Sequence, residues 1–269
     1  MKRVITSKPP SIGAYVREIF RQWRFIFFLA RRDLKIKYAQ SVLGIAWSAL
    51  QPLAGLLIYS LFFGFLIKLD TGVDYPLFAF PGIIAWYLFS YIVHQSGTAL
   101  LQSQDILRKI YFPRLIVPLS KVAVGVVEFG IALVLLLGYM FITGHYPIER
   151  ILLLPLVLVL NVAAGLAIAI WLSALTVRYR DMQHIIPYLV NFGIWLTPVF
   201  YPSTLIPEKW AAVLHFNPMA AVVESYRWCL YDAPLPDPQY AWGLAIVALL
   251  LGSGVYYFRS IDHRISEWI

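Results

Sequence analysis

The sequence predicts an all-α membrane protein. It has six transmembrane helices, an N-terminal amphipathic interfacial helix, short re-entrant helices before the last span, and both termini in the cytoplasm. Three observations predict this. First, residues 43–67, 75–101, 151–177, 185–202 and 239–258 contain no Asp, Glu, Lys or Arg, and residues 122–142 contain one, Glu128. About 20 apolar residues cross ~30 Å of hydrocarbon. The expected spans are therefore about 43–67, 76–100, 119–142, 151–177, 184–202 and 239–258, with the fifth barely long enough. Second, 18 of the 22 Lys and Arg residues fall on one side of six such crossings. Basic residues beside span ends stay cytoplasmic, which puts both termini inside. Third, the chain is 60% hydrophobic and 13% charged, with a mean hydropathy of +0.72. Soluble domains carry about 25% charged residues.

The basic residues fix each connection in turn. Residues 1–42 hold ten: Lys2, Arg3, Lys8, Arg17, Arg21, Arg24, Arg31, Arg32, Lys35 and Lys37. The loop after the second span holds Arg108, Lys109, Arg114 and Lys121, the loop after the fourth holds Arg178 and Arg180, and the tail holds Arg259 and Arg264. Only Lys68, Arg150, Lys209 and Arg227 fall opposite. The formal net charge of +8 thus reads as cytoplasmic loops against anionic lipid, with no nucleic-acid partner. No stretch between the spans is long enough for a separate soluble domain, so residues 1–269 form one transmembrane domain. No secretory signal pattern is visible, and the first span is expected to insert the chain. The single cysteine, Cys229, rules out an internal disulfide framework and reads as a small buried residue.

Residues 11–38 read as a helix lying in the cytoplasmic interface. Ile12, Val16, Ile19, Trp23 and Ile26 form one stripe, and Arg17, Arg21 and Arg24 a basic one beside it. The first span carries Gln51-Pro52, and an interior proline removes a backbone hydrogen bond and kinks the helix. Residues 103–114 read as a short cytoplasmic helix stopped before Pro113. The fourth span carries Ala163, Gly165, Ala167 and Ala169, small residues that allow close helix packing. Residues 203–235 are expected to form short helices dipping back toward the membrane, divided at Asn217-Pro218. Backbone at that depth must be buried in protein or line a cavity.

Several kinds of chemistry are absent from the sequence. There is no G-x-x-x-x-G-K-[ST] loop, so ATP hydrolysis is not expected of this chain. No His/Cys cluster has metal-binding spacing. Gly252-Ser253-Gly254 lacks the full pattern of a serine nucleophile turn and reads as packing. Glu128 is the single acid within a span, where a charge is expensive and functional by default. Lys121 lies two turns earlier on roughly the same face, and the sequence leaves a paired structural role and a gating role equally open. An ion-coupled secondary transporter would want acid or His relays in several spans, and a membrane enzyme would want clustered catalytic groups. Neither is seen. Aromatics make up 16% of the chain. Most read as interfacial belts or core, but aromatic faces also suit a sliding sugar chain. The candidates for a substrate path are Tyr59, Phe62, Trp86, Tyr87, Trp195 and Tyr201.

Five motifs in order carry a resemblance. They are Lys37-Tyr38-Ala39-Gln40-Ser41-Val42-Leu43-Gly44-Ile45-Ala46-Trp47 followed by Gln51-Pro52; Lys109-Ile110-Tyr111-Phe112-Pro113-Arg114; Tyr179-Arg180-Asp181; Thr197-Pro198-Val199-Phe200-Tyr201-Pro202; and Asn217-Pro218. From about residue 12 to the C-terminus, the chain resembles the ABC-2 type permeases that export O-antigen polysaccharide and teichoic acid. The resemblance implies a half-transporter in the bacterial inner membrane, working as a homodimer with two copies of a separate cytoplasmic ABC ATPase. That partner would hold ATP and Mg²⁺, and this chain no cofactor of its own. The substrate would be a lipid-linked polysaccharide of the O-antigen type, or alternatively a teichoic acid or capsule. The residues coupling the chain to the ATPase would be Asp105, Arg108, Lys109, Phe112 and Arg114, supported by Arg178, Arg180 and Asp181. Asn217 and Pro218 would belong to an external gate spanning 203–235.

Overall fold

A computed structural model describes residues 11–39, 41–145, 149–231, 233–262 and 265. Lys2, Arg3, Lys8, Gln40 and Arg264 lie outside the described residues. Every regular element among those described is helical. Five helical stretches are long and apolar enough to cross a membrane: Gly44–Leu66, Tyr75–Gln102, Ile116–Ile142, Arg150–Arg178 and Pro238–Ile261.

The N-terminal region differs from the single helix expected over 11–38. It forms α1 (Ile12–Arg21) and α2 (Trp23–Tyr38), divided at Gln22, whose φ of −100° and ψ of 20° leave the helical geometry. Ser11 caps α1, its Oγ accepting from the Ala14 amide. The break resets the helical phase. Tyr15 and Ile19 are buried on α1 and Leu29 and Ala30 on α2, while Ile12 and Trp23 of the expected stripe remain exposed. Tyr15, Ile19 and Leu29 pack with Phe112, Leu115, Ile116, Phe258 and Ile261 as one apolar cluster.

The first span is α3 (Trp47–Tyr59), which contains Pro52 and widens into a π-helical segment over Ser60–Leu66. The second runs through α4 (Tyr75–Tyr91), a π-helical turn over Ile92–Ser96, and α5 (Gly97–Gln102). It is the central staff of the fold. Within its most apolar window 78% of residues are buried, against 11% for the first span. The short α6 (Gln104–Lys109) leads to α7 (Ile116–Ile142), and α8 (Leu154–Arg178) follows. The small residues expected on the fourth span do allow close approach: a Cβ at Gly165 would stand 2.9 Å from Ile92.

The fifth expected span, 184–202, is helical only in part. Its helix, α9 (Met182–Leu196), is 15 residues long, about 22 Å at 1.5 Å per residue. Thr197 turns extended, at φ −109° and ψ 136°, because Pro198 follows and disfavours the helical region in the residue before it. The segment expected to lie outside forms α10 (Glu208–Phe216) and α11 (Pro218–Tyr231). α11 is embedded in the bundle, with Met219, Val222, Val223, Tyr226, Cys229 and Leu230 all buried. The chain then ends in α12 (Ala241–Ile261), where Trp171 of α8 donates from Nε1 to the Leu250 carbonyl oxygen and stacks on Tyr257.

Candidate functional site

Glu128 sits near the middle of α7 and is not alone. Lys37 donates to its Oε1 at 2.5 Å and the Tyr38 hydroxyl donates to the same oxygen at 2.8 Å. One turn earlier on α2, Asp33 accepts from Lys121 at 2.7 Å. Thus α2 supplies an acid and a base four residues apart, α7 supplies a base and an acid seven apart, and the two helices are joined by two ion pairs. Lys121 and Glu128 do not pair with each other. Tyr38 also shares a hydrogen bond with Ser48 of α3, so three helices meet at one phenol. Burial, aided by Glu128 and opposed by the Ser48 hydrogen bond, pushes the Tyr38 hydroxyl up to about 12. Because α2 reaches the middle of α7, its C-terminal end packs along that span instead of lying flat throughout.

The loop expected to couple the chain to a partner divides into an outward and an inward part. On α6, Asp105, Arg108 and Lys109 are exposed while Leu107 is buried and holds the helix down. Arg178, Arg180 and Asp181 are exposed as well, with the Arg178 guanidinium over the Tyr179 ring. Phe112 and Arg114 point inward. Phe112 meets Phe25 of α2 edge-on, with centroids 4.9 Å apart. Arg114 is 8% exposed and donates from Nη1 to the Asp262 carbonyl oxygen at 2.5 Å. These two residues therefore hold the loop against α2 and the end of α12, leaving the charges of α6 outermost.

On the opposite end, Asn217 and Pro218 join α9 to α11. Asn217 Nδ2 donates to the Leu196 carbonyl and to Thr197 Oγ1, both at 3.0 Å, and its Oδ1 accepts from the Met219 amide. Pro218 is the first residue of α11, where its missing N–H is not needed. The residue that the sequence did not single out is Arg227. It is 1% exposed, its guanidinium 3.7 Å from the Phe78 ring centre. It donates to the carbonyl oxygens of Phe78 and Val199 and pairs with Glu224 at 3.2 Å. An apolar segment containing a single Arg next to an acid three residues earlier was the available signal.

The six path candidates fall into three settings. Phe62, Tyr87 and Trp195 are exposed. Tyr59 and Tyr201 flank Phe200, with Tyr59 stacked on it at 4.8 Å. Trp86 is buried, with Gly193 of α9 against its ring.

Comparison with known proteins assigns the fold. The family model described as "ABC-2 type transporter" matches residues 24–231. This chain belongs to the ABC-2 type transporter family. It is 32% identical over 238 residues to the protein named O-antigen export system permease protein RfbA of Myxococcus xanthus, covering 88% of this chain and 91% of that one. It is 27% identical to a Klebsiella pneumoniae protein of the same name, over 89% of this chain and 92% of the relative. It is 24% identical to the polysialic acid transport protein KpsM of Escherichia coli, over 85% and 90%. In this ABC-2 type chain the matched stretch begins inside α2 and ends at the last residue of α11. It takes in both ion pairs, α6, Asn217 and Arg227, and leaves out α12.

Proposed function

We propose that the chain is the membrane-spanning permease subunit of an ATP-driven exporter that moves lipid-linked polysaccharide of the O-antigen type from the cytoplasm across the bacterial inner membrane. The observation that carries this is the similarity, over nearly the whole length of both chains, to a protein named as an O-antigen export permease. In this reading two copies form the translocation path and two copies of a cytoplasmic ABC ATPase, holding ATP and Mg²⁺, sit below. The short α9 crosses with the help of the turn residues after it, giving six crossings and two cytoplasmic termini. The exposed charges of α6 and of residues 178–181 face the ATPase. The α2–α7 ion pairs carry its movement into the spans, since rigid packed elements transmit displacement. A polysialic-acid or capsule substrate is the second reading, favoured by the similarity to the polysialic acid transport protein.

The test is co-purification. A tagged chain expressed with the ABC ATPase from the neighbouring reading frame should retain it, and deletion of the chain should remove the surface polysaccharide. A reporter fused after Ile269 should behave as cytoplasmic and one placed in 203–215 as external. Failure to retain an ATPase, with surface polysaccharide unchanged on deletion, would overturn the exporter reading.

A further inference from the structure

A cavity of about 320 Å³ opens between α3, α4, α7 and α9. Its polar lining includes Gln51, His94, Gln95 and Glu128, and its aromatic lining Tyr87 and Tyr91. Among the described residues, the side-chain amides of Gln51 and Gln95 and the imidazole of His94 take no hydrogen bond within the protein. Gln51 and His94 are exposed and Gln95 is half-buried, so the three line the open side of the cavity, where a bound molecule can reach them. The backbone departs from ordinary α-helix at the same place: His94 and Gln95 lie within the π-helical turn of Ile92–Ser96. Such turns collect at functional sites.

The chemistry of the lining selects its occupant. Amides and an imidazole offer both donors and acceptors, and Glu128 offers a carboxylate whose Oε1 already serves Lys37 and Tyr38 while Oε2 takes neither bond. Lys37, the cation nearest this wall, is held by that carboxylate, so a phosphate would meet a negative group without a free counter-charge. Lipid tails would leave every polar group unsatisfied. The volume lies at the lower end of the ~300–1,000 Å³ of small-molecule sites, enough for about one or two sugar rings and too small for a folded polymer. We propose that this cavity is a subsite for a single neutral pyranose ring, its hydroxyls taken by Gln51, Gln95, His94 and Glu128 and its apolar face by Tyr87. The assignment rests on the polysaccharide reading above and deepens it. It places the first protein-held sugar against the α2–α7 ion pair, so that occupancy and the position of α2 are read at one residue, Glu128.

The test uses the full-length chain with its ATPase in lipid nanodiscs. The probe is octyl β-D-glucopyranoside below its micelle concentration, with octyl phosphocholine as the matched-tail control, and binding is read by saturation transfer to the ring protons. Wild type should saturate those protons, and the Gln51→Leu/Gln95→Leu pair should bind the glucoside about tenfold more weakly, as loss of two hydrogen bonds implies. Where the pair does not insert, Glu128→Gln and Gln51→Leu alone serve, and Lys209→Gln on the exposed face of α10 should match wild type. Equal saturation in wild type and variants, or saturation that follows the octyl tail with either headgroup, overturns the subsite. ATPase retention and surface polysaccharide are scored separately. An intact complex with no sugar signal sinks the subsite alone, whereas a lost complex sinks the exporter reading.

Discussion

The Arg227 guanidinium of α11 lies 3.7 Å from the centre of the Phe78 ring of α4, while its Nη2 donates to the Val199 carbonyl at 2.9 Å. One buried side chain thus fastens α11 to the central span and to the turn that follows α9. Gly82 allows the approach, since a Cβ there would stand 2.9 Å from the Val199 carbonyl oxygen.

Replacing Arg227 by Met should lower stability by about 3 kcal/mol, the range for breaking a buried pair and leaving its partners unpaired. Arg227→Lys should recover little, because lysine cannot donate in two fixed directions and stack at once. Thermal unfolding of the purified chain in detergent measures this. An unchanged midpoint would show that the bolt does not bear on stability.

Lys37→Met and Glu128→Gln should each weaken the junction of α2 with α7, and the double variant should fall short of the sum of the two. Lys37 is 40% exposed, so solvent screening limits the coupling to about 1 kcal/mol. Exchanging the charges, Lys37→Glu with Glu128→Lys, should restore part of it. Strict additivity across the cycle would remove the pair from the account.

Tyr38 gives a pH signature. Its hydroxyl ionises near 10 in an unfolded chain and near about 12 in place. Folding therefore favours the neutral phenol. The stabilisation is complete below pH ~10 and is lost as pH rises toward ~12. Unfolding compared at both ends of that window should show a loss in wild type that Tyr38→Phe lacks. Parallel curves for the two proteins would contradict it.

Reversing Arg108 and Lys109 to Glu should weaken retention of the ATPase about tenfold or uncouple its hydrolysis from export, because exposed charges set complementarity at such a surface. The variant should insert and fold normally, since both side chains are exposed. Wild-type export together with wild-type ATPase stimulation would argue against a coupling role.

The aromatic candidates should separate by burial. Trp86→Ala should destabilise by about 3–5 kcal/mol, the range for removing a core aromatic. Phe62→Ala and Trp195→Ala should leave folding intact and slow export, each contact contributing about 1 kcal/mol by analogy with base stacking. Paired replacement of Phe62 and Trp195 with unaltered surface polysaccharide would assign them to lipid contact alone.

Five of the six expected spans were legible because each is a long apolar run, a property of single segments. Pro113, Pro198 and Pro218 marked where helices stop or begin for the same reason, as proline acts on its immediate neighbours, whereas α3 runs on through Pro52. Pairings between distant segments were not legible. Nothing near Asp33 or Lys37 points to Lys121 or Glu128, and the partners come together only when α2 packs along α7. The break at Gln22 was hidden because glutamine is an ordinary helix former, and what divides α1 from α2 is the direction each must take to bury Tyr15 and Leu29. Arg227 counted as a loop charge because its three neighbouring residues do not show that α11 sinks between α4 and α8.

In the six-crossing reading proposed above, α9 offers about 22 Å of helix where the hydrocarbon is ~30 Å thick. Its exposed face carries Tyr188, Phe192 and Trp195. Acyl chains along that wall must shorten or splay, a mismatch of several ångströms at fractions of a kcal/mol per ångström. In that reading the bilayer would thin next to this one helix, while the five longer spans match its full thickness. The composition of the surrounding lipid, through its chain length, becomes a variable to which the protein responds on one flank only.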